Sequence, residues 1–207
     1  MFWDKSDLYL LFRVCLARGK TVVIDDELIL IGLGANLRAG QMVSSLATCQ
    51  AALLRLVDCG IKVRRRSGWY VSAPVPSSNQ EWYINAVVAV DTKLPPNAVL
   101  KELLTVENHF GRERSKRWEA RTLDLDLLVY GRLVLGGTGL GEPVLPHPRI
   151  LERAFVIQPI MEIAPAWLHP ADPRSIQGQV ALLRERQHLL ALSPSALEIA
   201  SKICDNT

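Results

Sequence analysis

Apolar residues of this chain concentrate in four short segments of strand length, separated by polar loops. They cover residues 28–33, 61–71, 82–90 and 123–130. Short apolar segments bounded by Gly, Pro, Asn and Ser are typical of strands buried in a sheet. The second segment alternates less cleanly than the others because three consecutive arginines, 64–66, interrupt it. We therefore predict four strands, with 61–71 as one of them.

Between the predicted strands, apolar residues recur at helical spacing. One helix is predicted over 41–57. A second begins at Pro95, because proline suits the first turn of a helix, and ends at Gly111. Further helical patterns begin at position 150 and cover 176–192. The apolar faces are Leu46, Leu53, Leu54 and Val57 in the first helix, and Val99, Leu103, Val106 and Phe110 in the second.

The predicted elements follow the order β-α-β-β-α-β, with a helical appendix at the C-terminus. This order is typical of the ferredoxin-like sandwich, an α+β fold in which helices cover one face of an antiparallel four-stranded sheet. The other face is then left for loops and ligands. We divide the chain into an N-terminal extension of unknown role (1–27), a main domain (28–170) and a C-terminal helical tail (171–207).

Composition and charge are those of an ordinary soluble protein. Of 207 residues, 49% are hydrophobic and 22% charged, and the net charge is +3. This balance demands neither a nucleic-acid partner nor a membrane, and no apolar run reaches the roughly 18 residues of a membrane span. The four cysteines form no CxxC pair, which favours reduced thiols over a zinc site or disulfide bonds. We expect a cytoplasmic monomer.

The first 27 residues contain a short apolar stretch at 8–16. Asp4 and Asp7 precede it and Arg13 interrupts it, which is unlike a targeting segment. We expect either a packed or frayed N-terminal helix or residues that an upstream start codon adds.

The most informative segment is 111–131, GRERSKRWEARTLDLDLLVYG, where a basic loop leads into a strand. Asp124 and Asp126 lie two apart in that strand, so both side chains point to one face while the leucines between them enter the core. Two carboxylates that face the same way repel each other unless a cation lies between them, and Mg²⁺ prefers such oxygen ligands. A solvent-facing strand with charged outward positions is the alternative.

Basic side chains of the same segment are suited to phosphate groups, because a guanidinium fork binds two oxygens at once. They are Arg112, Arg114, Lys116, Arg117 and Arg121. Trp118 in the middle of the loop favours a lid that closes over a ligand, whereas a purely solvated loop is the alternative. Carboxylates for magnesium beside arginines for phosphates predict phosphoryl transfer.

The loop 72–80 and the strand that follows form a second candidate site. Tyr83 and Asn85 lie two apart at the start of the strand, so they share a face. An aromatic ring beside an amide suits a flat heterocycle, which is held by stacking and by polar contacts at its edges. Ordinary core packing is the alternative.

A third group of candidates surrounds His147, which lies between two prolines. Arg149, Arg153 and Phe155 follow it and form a second basic and aromatic cluster. Glu107, one turn before the basic loop, is either a helix-surface acid or a nucleotide contact. No GxxxxGK[ST] motif is present, so phosphates would be held by arginines and metal rather than by a P-loop.

Four motifs together resemble the 6-hydroxymethyl-7,8-dihydropterin pyrophosphokinases of folate biosynthesis. They are R-W-x-A-R-T-L-D-L-D-L-L at 117–128, G-R-x-R at 111–114, P-H-P-R-x-x-x-R-A-F at 146–155 and Y-I-N at 83–85. The similarity extends from about residue 28 to residue 170. Several separate motifs in the right order make coincidence a poor explanation.

The resemblance implies a ferredoxin-like fold and transfer of pyrophosphate from ATP to the hydroxymethyl oxygen of the pterin, with AMP as the other product. It implies two Mg²⁺ ions held by Asp124 and Asp126, with Arg112 and Arg121 also catalytic. ATP would be bound by Glu107, Arg114, Arg117, Trp118, His147 and Arg153. The pterin would be bound by Ser72, Ala73, Val75, Tyr83, Asn85 and Phe155. The implied partners are these small molecules, with neither nucleic acid nor a membrane.

The chain departs from the family pattern in two places. Glu119 and Ala120 stand where Gly-Pro is usual, and Ser72 and Ala73 stand where Thr-Pro is usual. An acid in the basic loop opposes ATP binding, so a catalytically inactive pterin-binding relative is one alternative. An RNA-binding module is another, since ferredoxin-like sheets also bind single-stranded RNA. The acidic pair on the strand would repel an RNA backbone, which favours the enzyme.

Overall fold

The structure of the protein is a computed structural model that describes residues 14–17, 20–23, 27–75, 79–111, 121–137, 139, 141–172 and 176–193. Strands and helices alternate along these residues. The strands are β1 (Val14–Ala17), β2 (Lys20–Val23), β3 (Ile29–Ala35), β4 (Lys62–Arg66), β5 (Tyr70–Ser72), β6 (Tyr83–Asp91), β7 (Asp124–Tyr130), β8 (Leu135–Gly136), β9 (Val144–Leu145) and β10 (Leu189–Ala191). The helices are α1 (Ser45–Asp58), α2 (Pro96–His109), α3 (Ala154–Ile163) and α4 (Ile176–Arg186), with a 3-10 turn at Ile150–Glu152.

The main sheet has six strands in the order β10-β5-β6-β3-β7, and β4 also pairs with β6. Every strand pair in it is antiparallel. Strand β3 pairs along nearly all of β6, so β4 and β5 share the other edge of β6. The predicted α+β fold with an antiparallel sheet is therefore confirmed.

The prediction of one strand over 61–71 is wrong, because the chain leaves the sheet between β4 and β5. The backbone N–H of Gly68 donates to both carboxylate oxygens of Glu162, at 2.8 and 3.0 Å, instead of to a neighbouring strand. Trp69 is buried beside this break. The carboxylate on α3 thus replaces the strand pairing that the sequence pattern suggested.

Both faces of the sheet carry an apolar core. On one face, Ile31 and Leu33 of β3 pack with buried residues of α2 such as Leu103. On the other face, Leu30 and Leu128 pack with residues of α3 and α4. The prediction that this face is left for loops and ligands is therefore wrong in part. Residues of α3 and α4 cover much of it, and only the part that α3 does not cover remains open.

Helix α1 begins at Ser45 rather than at 41, because Ser44 caps it by accepting a hydrogen bond from the backbone N–H of Ala47 at 3.1 Å. Its predicted apolar face is wrong in part. Leu54 is 74% exposed, whereas the smaller Cys49 and Ala52 are buried against the sheet. Small side chains let the helix approach the sheet closely, and spacing alone does not reveal this choice. The stripe predicted for α2 is confirmed, since Val99, Leu103, Val106 and Phe110 are all buried.

The C-terminal tail is helical only up to Arg186, whereas the pattern predicted a helix to residue 192. Strand β10 follows and pairs with β5, so that Leu189, Leu190 and Ala191 lie opposite Ser72, Val71 and Tyr70. The tail extends the main sheet because the edge of a strand offers a row of backbone donors and acceptors to another extended segment.

The N-terminal extension contains an antiparallel pair, β1 with β2. The expectation of an N-terminal helix is therefore wrong for 14–17, while the residues before 14 lie outside the described part of the chain. The segment 14–23 is rich in β-branched residues, which favour extended pairing. Among the described residues, no helix combines the length and apolar character needed to cross a membrane.

Candidate active site

An open cleft lies on the second face of the sheet, beside α3. Strands β3, β6 and β7 form its floor, and the loop after β5 and the start of α3 form its walls. The predicted site residues that line it are Ser72, Ala73, Val75, Tyr83, Asn85, Arg121, Asp124, Asp126, Arg153 and Phe155.

The acidic pair projects from β7 into one end of the cleft. Leu123, Leu125 and Leu127 are buried in the core on the opposite face. This is the alternation that the sequence predicted, since the period of a strand is two residues. The two carboxylates are therefore presented together to whatever occupies the cleft.

Two arginines compensate the charge of the pair. Arg121 forms an ion pair with Asp124 through Nη1 and Oδ2. Arg153, which precedes α3, forms a second ion pair, in which its Nη1 lies 3.3 Å from Oδ2 of Asp126. The four charged groups come from two segments that are distant along the chain, so the fold assembles this end of the cleft.

Burial and charge act in opposite directions on these arginines. Burial lowers the pKa of Arg121, but attraction to Asp124 outweighs it and the pKa is raised overall. Burial also lowers the pKa of Arg153, and here the attraction to Asp126 does not fully compensate. Both groups are cations at neutral pH, because the guanidinium of arginine stays protonated in proteins.

His147 lies near the acidic end, with Nε2 at 4.0 Å from Oδ2 of Asp126. Its Nδ1 accepts a hydrogen bond from the backbone N–H of Arg149 at 3.1 Å, which places the proton of the neutral ring on Nε2. Burial lowers the pKa of His147 below its ordinary value, and the nearby Asp126 opposes the shift. At neutral pH, an uncharged N–H donor therefore faces the carboxylate.

The other end of the cleft is formed by the aromatic side chains of Tyr83 and Phe155 and the amide side chain of Asn85. Asn85 donates through Nδ2 to Ser72 Oγ at 2.9 Å and to the carbonyl oxygen of Tyr83 at 3.3 Å. Burial raises the pKa of Tyr83, whose hydroxyl donates to Gln80 Oε1 at 3.3 Å. The guanidinium of Arg153 lies over the ring of Phe155 in a cation–π contact, 5.6 Å from the ring centroid. Both predicted candidate groups thus meet in one cleft.

Of the two interpretations of Glu107, the helix-surface acid is wrong because the residue is buried, and the nucleotide contact stays a prediction. Glu107 is buried on α2, and Oε1 accepts a hydrogen bond from the backbone N–H of Leu125 at 2.7 Å. Leu125 lies between the two aspartates, so Glu107 supports β7 from behind the site. The candidates Arg112, Arg114, Arg117 and Trp118 lie outside the described residues.

Several residues of the cleft were not singled out from the sequence. Gly32 and Gly34 line it directly, together with Arg149 of the cluster predicted around His147. Asn36 is buried at the end of β3, where Oδ1 accepts from the backbone N–H of Arg121 at 2.7 Å and Nδ2 donates to Gln80 Oε1 at 3.3 Å.

The chemistry of the acidic end fits Mg²⁺. Mg²⁺ is commonly held by one or two carboxylates, with substrate phosphates and water completing its shell, and Asp124 and Asp126 supply two. Within the described part of the chain, no cluster of three or more His, Cys, Asp or Glu side chains is arranged for a metal ion. Phosphate oxygens and water would therefore supply the remaining ligands.

Comparison with known proteins identifies the family of this chain. The profile of the family described as 7,8-dihydro-6-hydroxymethylpterin-pyrophosphokinase matches residues 30–165. A 2-amino-4-hydroxy-6-hydroxymethyldihydropteridine pyrophosphokinase of Methylorubrum extorquens is 36% identical over 168 residues, which are 81% of this chain and 95% of that protein. A protein of the same name from Synechocystis is 38% identical over 156 residues, 75% of this chain and 74% of that one.

A solved structure shows the same fold. The wild-type HPPK-DHPS protein of Plasmodium falciparum superposes with a TM-score of 0.58 over 77% of this chain, at 12% sequence identity. The match covers 45% of that longer chain. The family profile matches most of the length of this chain, and the two relatives named above are more than 30% identical to it. This chain therefore belongs to the 7,8-dihydro-6-hydroxymethylpterin-pyrophosphokinase family.

Proposed function

We propose that the protein transfers pyrophosphate from ATP to 6-hydroxymethyl-7,8-dihydropterin, giving AMP and the pterin diphosphate, a step of folate biosynthesis. The observation that carries this proposal is one cleft with two chemically different ends. Carboxylates and arginines form one end, and an aromatic and amide group forms the other. A reaction between a nucleotide triphosphate and a flat heterocycle needs both in the same place.

The heterocycle would lie between the rings of Tyr83 and Phe155, where stacking supplies much of the contact area. Ser72 fixes the amide plane of Asn85 through their 2.9 Å hydrogen bond. The amide oxygen is then the acceptor that ring N–H groups of a pterin require. Ala73 and Val75 complete this wall of the cleft.

ATP would lie with its phosphates at the acidic end, where Asp124 and Asp126 would hold two Mg²⁺ ions. Mg²⁺ bound there would neutralise charge on the oxygen atoms whose bonds to phosphorus form and break in the transfer. Arg121 and Arg153 would bind phosphate oxygens, together with the Nε2–H group of His147. These contacts would hold the hydroxymethyl oxygen in line with the β-phosphorus, which is the main requirement of phosphoryl transfer.

The remaining predictions belong to the same proposal. The order β4/β5-β6-β3-β7 with helices after β3 and β6 supports a ferredoxin-like arrangement. The profile match to 30–165 supports a pyrophosphokinase domain at 28–170.

Free thiols at Cys49 and Cys59 support a reducing, cytoplasmic location. A monomer is expected, and sedimentation velocity tests it.

The test is release of AMP from ATP in the presence of Mg²⁺ and hydroxymethyldihydropterin. The protein should form AMP and pterin diphosphate in equal amounts, with no AMP when the pterin is left out or when EDTA is added. Pterin binding without AMP release would contradict the proposal and identify the inactive relative. Magnesium-independent, salt-sensitive binding of single-stranded RNA without turnover would instead favour the RNA-binding alternative.

A further inference from the structure

Gly34 of β3 lies between the two ends of the cleft. In the sheet it is directly opposite Asn85 of β6 on one side and Asp124 of β7 on the other. Residues opposite each other in neighbouring strands project to the same face, and all three line the cleft. Adjacent strands are about 4.8 Å apart, so the amide and the carboxylate stand about 10 Å apart with a bare glycine between them.

The backbone does not require a glycine at this position. The glycines of the described chain that have a left-handed φ are 40, 60, 111, 131, 137 and 141. Gly34 is not among them, so an L-residue can adopt its conformation. Glycine in the interior of a strand is in fact unfavourable relative to alanine, because it loses more conformational freedom on folding.

Packing does not require a glycine there either. A Cβ atom built on Gly34 would meet one atom within 4 Å, Asn85 Oδ1 at 3.4 Å, which is an ordinary van der Waals distance. Gly32, two residues earlier, is different. Its Cβ would lie 3.3 Å from Leu128 Cδ1, and two further atoms of Leu128 follow at 3.5 and 3.6 Å. Core packing therefore explains Gly32 and leaves Gly34 unexplained.

Space for a ligand is the requirement that remains. The proposed function, on which this inference rests, places the pterin ring at Asn85 and the phosphates at Asp124. The group that joins them is the substituent at C6 of the pterin, whose oxygen becomes bonded to phosphorus. That substituent must then pass directly over Gly34.

We propose that Gly34 is the specificity-determining residue for the C6 substituent of the pterin. Its missing side chain leaves room for a hydroxymethyl group between ring and phosphate. A methyl group at position 34 would occupy that room, while leaving the ring contacts of Tyr83 and Phe155 and the carboxylates in place.

The experiment compares Gly34→Ala with wild type by calorimetric titration with two ligands, in the presence of Mg²⁺ and α,β-methylene-ATP. One ligand is 6-hydroxymethylpterin, and the other is pterin, which has hydrogen at C6. Gly136→Ala is the matched control, because Gly136 also lies in a strand, and a Cβ there would meet nothing within 4 Å. Thermal unfolding of each variant shows whether the fold is retained.

Gly34→Ala is expected to weaken 6-hydroxymethylpterin at least tenfold and to change pterin affinity by less than threefold. Its melting temperature should equal or exceed that of wild type, and Gly136→Ala should bind both ligands as wild type does. Equal affinity of Gly34→Ala and wild type for 6-hydroxymethylpterin would overturn the inference, and so would an equal loss for both ligands.

These results are distinguishable from failure of the proposed function. If wild type releases AMP but Gly34→Ala does so with unchanged kcat and KM, the proposed function stands and the role of Gly34 is refuted. If wild type neither binds 6-hydroxymethylpterin nor releases AMP, the proposed function itself fails. Turnover by wild type with a large rise in KM for the pterin in Gly34→Ala supports both.

Discussion

The two ends of the cleft differ in how their polar groups are satisfied. At the phosphate end, the side chains of Asp124 and Asp126 are 22% and 35% exposed, and arginines compensate their charge. At the heterocycle end, Asn85 and Ser72 are 3% and 4% exposed and hydrogen bond to each other. The carboxylates of the first end are partly open to solvent, whereas the amide and hydroxyl groups of the second are buried and hold each other in place. Substitutions should therefore affect turnover at one end and affinity at the other.

The largest effect is expected from Asp126→Asn. This change removes a charge that the transfer requires but leaves the shape of the side chain intact, so AMP release should fall at least about 1000-fold, since electrostatic stabilisation of the transition state commonly contributes most to catalysis. Affinity for 6-hydroxymethylpterin should stay within threefold. Asp91→Asn, at the far end of β6 in a surface ion pair with Arg64, is the control and should turn over normally. Comparable activity of the two variants would refute the role of the acidic pair.

Asn85→Ala should produce the opposite pattern. It removes the amide that contacts the heterocycle, so pterin affinity should fall about 10- to 100-fold, or about 1.4–2.8 kcal/mol. Binding of an ATP analogue should be unchanged, because no described phosphate-end side chain contacts the Asn85 amide. Titration of each ligand separately measures both constants. A matching loss of nucleotide affinity would mean that the two ends are not independent.

Salt should also separate the two ends. Raising the ionic strength from 0.05 to 0.5 M should weaken ATP-analogue binding about tenfold, because exposed charges are screened over a few ångströms at high salt. Pterin binding should change less than twofold, since no exposed charge pair lies among the described residues of the heterocycle end. Equal salt sensitivity for the two ligands would contradict the comparison.

Ser72→Ala is the mildest change. It removes one hydrogen bond to the Asn85 amide, with a cost of about 0.5–1.5 kcal/mol. Pterin affinity should fall about two- to tenfold with kcat preserved, and Ser72→Thr should restore it by returning the hydroxyl. A drop in kcat with constant pterin affinity would mean that Ser72 acts on the chemistry instead of on binding.

Part of the site could be predicted from the sequence and part could not. Asp124 and Asp126 alternate with leucines in one strand, so the strand period alone placed both on one face. Asn36 gives no such signal, because an asparagine in a polar turn is ordinary. Its importance comes from partners 44 and 85 residues away, which only the fold brings together.

The errors in the fold have a similar cause. Periodicity identified α1, but Leu54 fits the helical pattern as well as Leu56 does, and the position of the helix on the sheet decided which one is buried. Strand β10 was missed because its three residues continue the pattern of α4 and are extended only through pairing with β5. Local pattern thus located the elements, and tertiary contacts decided their faces and ends.

The most direct test of the central claim is phosphorus NMR of a reaction that contains ATP, Mg²⁺ and 6-hydroxymethyl-7,8-dihydropterin. If one cleft aligns the pterin hydroxyl with the β-phosphorus, the ATP resonances should be replaced by those of AMP and of a two-phosphorus pterin diphosphate, in equal amounts. Formation of ADP with a pterin monophosphate, or of ADP with inorganic phosphate, would show attack at the γ-phosphorus and contradict the account.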